Sequence, residues 1–265
     1  MKKFYSLLAV LLLFLSPMPA QAQTRTFTVK GVSFKMVFVK GGTFTMGATS
    51  EQGSDAHDNE KPTHRVTLSD YYIGQTEVTQ ALWKAVMGMG NERIKWFKFK
   101  GNNLPVEFVS WGNCQKFIRK LNEMTEGLRP NGRKFRLPTE AEWEFAARGG
   151  IKSRHTKYAG SNDVSSVAWC DYLEQHRGST HPVAQKSPNE LGLYDMSGNV
   201  SEWCQDYADG KYYNRSPSKN PCNKTESSYH VFRGGSWGFT AFFCRVSWRG
   251  GKCLADEDTG FRLAL

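Results

Sequence analysis

The sequence predicts an α+β fold rich in loops, and three observations carry that prediction. Apolar residues alternate with small or polar ones over residues 34–45, where Met36, Phe38 and Phe44 flank Gly41-Gly42. That is the pattern of two short strands around a glycine turn. Val78, Leu82, Ala85 and Val86 then recur at helical spacing and stop at Gly88. After Gly150 the chain breaks into short runs divided by Gly, Pro, Asn and Asp, and it carries eight tryptophans. Such a chain is held by aromatic packing rather than by one large regular sheet.

The remaining elements follow in order. Residues 52–62 are polar and acidic (Asp55, Asp58, Glu60) and read as a surface loop, followed by a strand over residues 64–68. A second helix begins at Ser110, with Trp111, Cys114, Ile118 and Leu121 near one face. The third has the clearest start: Thr139-Glu140-Ala141-Glu142 is a T-x-x-E capping box, in which Thr139 and Glu142 satisfy open amides of the first turn. Trp143 and Ala147 give it an apolar side, and Gly149-Gly150 ends it.

Lys2, Lys3, an apolar core over residues 7–15 and Ala20-Gln21-Ala22 predict a secretory signal peptide over residues 1–22. Its apolar run is shorter than the roughly 20 residues that a spanning helix needs. Of 265 residues, removal of 22 leaves 243, enough for one large domain, and no later segment reads as a membrane span. Cleavage takes two lysines and no acid, lowering the net charge from +10 to +8. The basic residues are scattered apart from Lys95, Lys98 and Lys100, which alternate with Trp96, Phe97 and Phe99. That stretch reads as a half-buried strand or loop, and no nucleic-acid partner is expected.

The six cysteines, Cys114, Cys170, Cys204, Cys222, Cys244 and Cys253, suit an oxidising compartment, and sequence does not choose their pairing. None forms a CxxC, and His57, His64, His155, His176, His181 and His230 show no metal-binding spacing. G-x-S-x-G and P-loop patterns are also absent.

Six blocks carry a family resemblance: Phe44-Thr45-Met46-Gly47, Glu77-Val78-Thr79, Leu104-Pro105-Val106, the run from Arg136 to Glu144, the run from Gly192 to Val200, and a tail. The tail holds Arg233-Gly234-Gly235-Ser236-Trp237, Cys244-Arg245-Val246-Ser247 and Gly260-Phe261-Arg262-Leu263. In this order they resemble the formylglycine-generating enzyme (sulfatase-modifying factor) family over residues 30–265. The resemblance implies a loop-rich α+β variant of the C-type lectin fold. It also implies calcium, through side-chain oxygens of Asp195 and Glu202 and main-chain oxygens of Gly198 and Val200. Hard oxygen donors of this kind suit Ca²⁺.

Family members that make formylglycine oxidise a substrate cysteine with O₂ and copper held by two cysteines, soft ligands that favour Cu(I). Counted from Gly234-Gly235-Ser236, the second position falls on Cys244 and the first on Phe239. Ser236 matches the active-site serine, so Ser236 and Cys244 are the candidate catalytic residues, with Cys253 the remaining source of a second thiol. Phenylalanine ligates no copper, and copper is not expected. Other members use the same tail as a variable recognition surface. On that reading Phe239, Phe242, Phe243 and Trp248 are the ligand-binding residues, facing an unknown peptide, protein or small molecule. The sequence therefore predicts an exported, calcium-stabilised binding module. The alternatives are a formylglycine-generating oxidase and a copper-free periplasmic maturation enzyme.

Overall fold

The computed structural model describes residues 23–54, 56–171 and 178–265. The predicted signal peptide, Asp55 and His176 lie outside the described residues. In chain order the strands are β1 (Thr24–Val29), β2 (Val32–Val39), β3 (Thr43–Met46), β4 (His64–Thr67), β5 (Tyr71–Gly74), β6 (Ala168–Trp169), β7 (Ser197–Gly198), β8 (Ser201–Tyr207), β9 (His230–Arg233), β10 (Arg249–Lys252) and β11 (Thr259–Gly260). The helices are α1 (Gln80–Met87), α2 (Arg93–Trp96), α3 (Trp111–Met124), α4 (Glu140–Ala147) and α5 (Val164–Val167). They surround small sheets ordered β1-β2-β5, β10-β9-β8-β11, β3-β4 and β6-β7. The loop-rich α+β expectation holds.

All three predicted helices form, and each start is capped. The Thr79 hydroxyl accepts from Leu82 N–H ahead of α1, and Gly88 ends that helix at φ 94°. Ser110 and Asn113 form a capping box at α3, as Thr139 and Glu142 do at α4. Trp83 of α1 stacks on Phe117 of α3 at 5.3 Å, and Phe261 meets Phe117 edge-on, also at 5.3 Å. This layer forms one core; a second lies under β3, β4, β5 and α4. The stretch read as a half-buried strand or loop begins inside the short α2 and continues as loop, with Phe97 buried and Trp96 exposed, so its strand alternative does not form.

Two expectations change. Helix α4 has no solvent face, because all eight of its residues are buried, including Glu140, Glu142 and Glu144. The acidic stretch before Pro62 is not wholly surface: Glu60 is buried, and Arg245 donates to its two oxygens at 2.7 and 2.9 Å. A carboxylate enters the interior only when so paired, and Ser247 Oγ adds a third bond at 2.6 Å.

Candidate functional site

The tail is held from below by charges. Arg233 donates to Glu144, Arg249 to both oxygens of Glu140 (2.6 and 2.7 Å), and Arg262 to both oxygens of Glu202 (2.6 and 2.5 Å). Each of these arginines is buried. Bidentate guanidinium–carboxylate pairing fixes direction as well as charge, so the tail's arginines anchor the segment between them.

After β9 the chain turns through Gly234 and Gly235, both in the left-handed region. A Cβ on Gly235 would stand 2.7 Å from Cys244 Sγ, so only glycine fits there. The segment then reaches a cleft of about 420 Å³ lined by Lys98, Phe108, Trp237, Gly238, Asp256, Glu257 and Asp258. Lys98 pairs with Glu257 at 2.6 Å and lies 4.9 Å from the Trp237 ring centroid. Lys252 bonds Asp256 at 2.6 Å and Asp258 at 3.3 Å. Asp258 is pushed up to about 6, first by burial and then by its hydrogen bond with Asp256. The cleft thus combines aromatic walls with three acids and one lysine, and Lys252 pairs with two of the acids. A larger cleft of about 500 Å³ lies elsewhere, by Arg133, Arg136 and Asn220, and contains none of the predicted site residues.

Ser236, which precedes the cleft residues Trp237 and Gly238, is buried, and its Oγ donates to Asp258 Oδ2 at 2.8 Å while accepting from Gly238 N–H at 3.3 Å. Cys244 has no exposed surface. Its thiol is held well above the ordinary cysteine range by a hydrogen bond with Cys170 and by burial. Cys253, the remaining source of a second thiol on the copper reading, follows β10 and is exposed, whereas Cys170 packs in one cluster with Cys244. Phe239 is tied to the residue after Cys170, its carbonyl accepting from Asp171 N–H at 2.8 Å.

The four predicted binding aromatics divide. Phe239, Phe242 and Phe243 are partly exposed and pack together at 5.1 to 5.3 Å. Trp248 is 6% exposed and belongs to the core, edge-on to Phe232 and Phe243 at 5.3 Å. Its place in an exposed surface is therefore corrected: the ring supports Phe239 and Phe243 from beneath.

Asp195, Gly198, Val200 and Glu202 of the predicted calcium loop are all buried. A Cβ on Gly198 would stand 2.3 Å from Trp169 O, which again requires glycine. Asp195 Oδ2 accepts from Ala184 N–H at 2.8 Å, and its buried Oδ1 has no partner. Glu202 differs: besides Arg262, it accepts from Trp143 Nε1 at 2.7 Å, so its carboxylate is already neutralised. Among the described residues no three acid, histidine or cysteine side chains converge to hold a metal by themselves. Glu77, buried below the loop, accepts from Asn199 Nδ2 (3.0 Å) and Val200 N–H (3.2 Å). Burial, followed by the charges of Asp195 and Glu202, raises its carboxyl well above the usual range.

Sequence reasoning did not assign Lys98, Phe108, Asp256, Glu257, Asp258, Cys170 or Glu77 to a site. The acidic run from Asp256 to Asp258, standing between two family blocks, was the readable signal.

This fold, the paired tail arginines and the ordered blocks define the class. The chain belongs to the sulfatase-modifying factor enzyme 1-like domain family, whose model matches residues 21–265. It is 33% identical to the chaperone protein LppX of Paenibacillus barcinonensis, covering 83% of this chain and 84% of that protein. It is 30% identical to the formylglycine-generating enzyme of Streptomyces coelicolor, covering 86% and 88%. Among solved structures it is similar to Treponema denticola variable protein 1, with TM-score 0.77 and 32% identity over 91% of this chain and 98% of that one.

Proposed function

We propose that this chain is an exported binding module of the family, whose tail presents an aromatic and acidic recognition surface and lacks copper oxidation. One observation carries this reading. At position 239 stands a phenylalanine that packs with Phe243 and Trp248 at 5.1 and 6.0 Å, where the oxidising members need a thiolate. Partly exposed aromatics beside a charged cleft supply contact area at modest entropic cost. The similarity to a protein named as variable and to one named as a chaperone supports a partner-binding role. Export rests on the predicted signal peptide; among the described residues no helix is long and apolar enough to cross a membrane.

Calcium belongs to the same proposal. Glu77, Asp195 and Glu202 share one buried countercharge, Arg262, so ionising all three would leave excess negative charge in the interior. A divalent cation beside Asp195 Oδ1 would offset it, with main-chain oxygens of Gly198 and Val200 completing the shell and Glu202 remaining with Arg262. Chelation should then lower the melting midpoint of the wild type but not of Asp195→Ala. An unchanged wild-type midpoint, with no metal by elemental analysis, would remove calcium from the account.

The second reading, a formylglycine-generating oxidase, draws on the similarity to the Streptomyces enzyme. The two separate by mass spectrometry. Protein supplied with copper, O₂ and a peptide carrying Cys-x-Pro-x-Arg should leave the peptide cysteine unmodified. Aldehyde that disappears in Cys244→Ala would establish the oxidase instead.

A further inference from the structure

Two cysteines far apart in sequence meet behind the recognition segment. Cys170 follows β6, which pairs in parallel with β7 through Ala168–Ser197 and Trp169–Gly198. Cys244 is tied to the same β7, because Ser197 Oγ donates to its carbonyl at 2.8 Å. Both side chains enter one small apolar cluster with Tyr158, Val167 and Ala241, where the two thiols share a hydrogen bond. The other four differ in setting: Cys114 and Cys204 are buried in the two separate cores, Cys222 bonds the Asp206 carboxylate, and Cys253 is exposed.

We propose that Cys170 and Cys244 are a redox site that closes to a reversible disulfide, stapling the β6 turn to the C-terminal segment. The reaction is thiol–disulfide exchange with a small-molecule or protein disulfide as oxidant. Partly exposed Cys170 acts first: its thiolate attacks one donor sulfur, forming a mixed disulfide and releasing one donor thiolate. Cys244 then loses its proton and attacks Cys170 Sγ, releasing the second donor thiolate. The protein loses two protons and two electrons, and the donor disulfide takes up both to become two thiols. Burial keeps Cys244 protonated and out of reach, which fixes this order.

The bond would act on the recognition segment directly. Asp171, next to Cys170, holds the Phe239 carbonyl, and Cys244 ends the turn Ala241–Cys244 that carries Phe242 and Phe243. Oxidation therefore closes a covalent loop around these aromatics and restricts the unfolded chain.

The test treats the full-length protein with oxidised glutathione at mildly alkaline pH, alkylates it under denaturing conditions, and maps the peptides by mass spectrometry. A peptide linking Cys170 to Cys244, and a melting midpoint that rises on oxidation and falls back with dithiothreitol, are expected. Cys170→Ser should abolish both the link and the rise. Cys244→Ser should stop at a glutathione adduct on Cys170, trapping the first step. If Cys244→Ser does not fold, the link in the wild type and its loss in Cys170→Ser still decide the question. The proposal is overturned if oxidised wild type leaves Cys170 and Cys244 alkylated, if Cys170 links to another cysteine, or if Cys170→Ser retains the full rise.

Discussion

Two regions built from the same tail behave in opposite ways. The arginines Arg233, Arg245, Arg249 and Arg262 are buried, and each meets a glutamate from a distant part of the chain: Glu144, Glu60, Glu140 and Glu202. Between them, Phe239, Thr240, Phe242 and Phe243 are partly exposed, and the three phenylalanine rings rest on one another. The fixed-looking blocks thus serve folding, while the irregular stretch between them faces solvent. The difference teaches that a family signature can specify the frame of a site without specifying its chemistry. Phe239, in a well-matched frame, is the case in point.

Breaking the frame should have the largest effect. Glu144 accepts from Gly47 N–H and Arg148 Nε at 2.9 Å each and also from Arg233. Glu144→Ala leaves the Arg233 guanidinium buried without that partner, an arrangement that costs about 3–5 kcal/mol. Chemical denaturation should show that loss, and a change below about 1 kcal/mol would mean that the buried pairs are not what holds the tail.

This asymmetry also explains what was legible in the sequence. The helix starts at Ser110 and Thr139 were readable because capping is local, each acting within four residues. Glu60 was read as surface because its partner, Arg245, is 185 residues away and leaves no periodic trace. Trp248 was read as exposed because a tail aromatic has no spacing that separates core from surface. Cys170 escaped for the same reason as Glu60, since only tertiary structure brings it to Cys244. In the predicted metal loop, Asp195 has an oxygen available, but the partnership of Glu202 with Arg262 was legible only in three dimensions.

A smaller effect sharpens the comparison from the cleft side. Asp258 holds its proton up to about 6, chiefly through burial, while the bond from Ser236 favours its charged form. Since this folded value lies above the ordinary carboxylate range, its contribution to stability is complete in acid and fades as pH rises through about 6. Side-chain carbon NMR should find that midpoint. Ser236→Ala should move it upward, because a donor to the carboxylate is lost. A downward shift would contradict the assigned bond.

The most direct test of the central claim, that the tail's exposed aromatics serve recognition and the charged frame serves folding, is a set of unfolding free energies. Phe239→Ala, Phe242→Ala, Phe243→Ala and Trp248→Ala would be measured beside Glu144→Ala. Trp248→Ala should lose about 3–5 kcal/mol as a core truncation. At least two of the phenylalanine variants should stay within about 1.5 kcal/mol of the wild type, as expected for rings that are only partly buried. If all three phenylalanine variants fall as far as Trp248→Ala and Glu144→Ala, the segment is core, and the recognition surface does not exist.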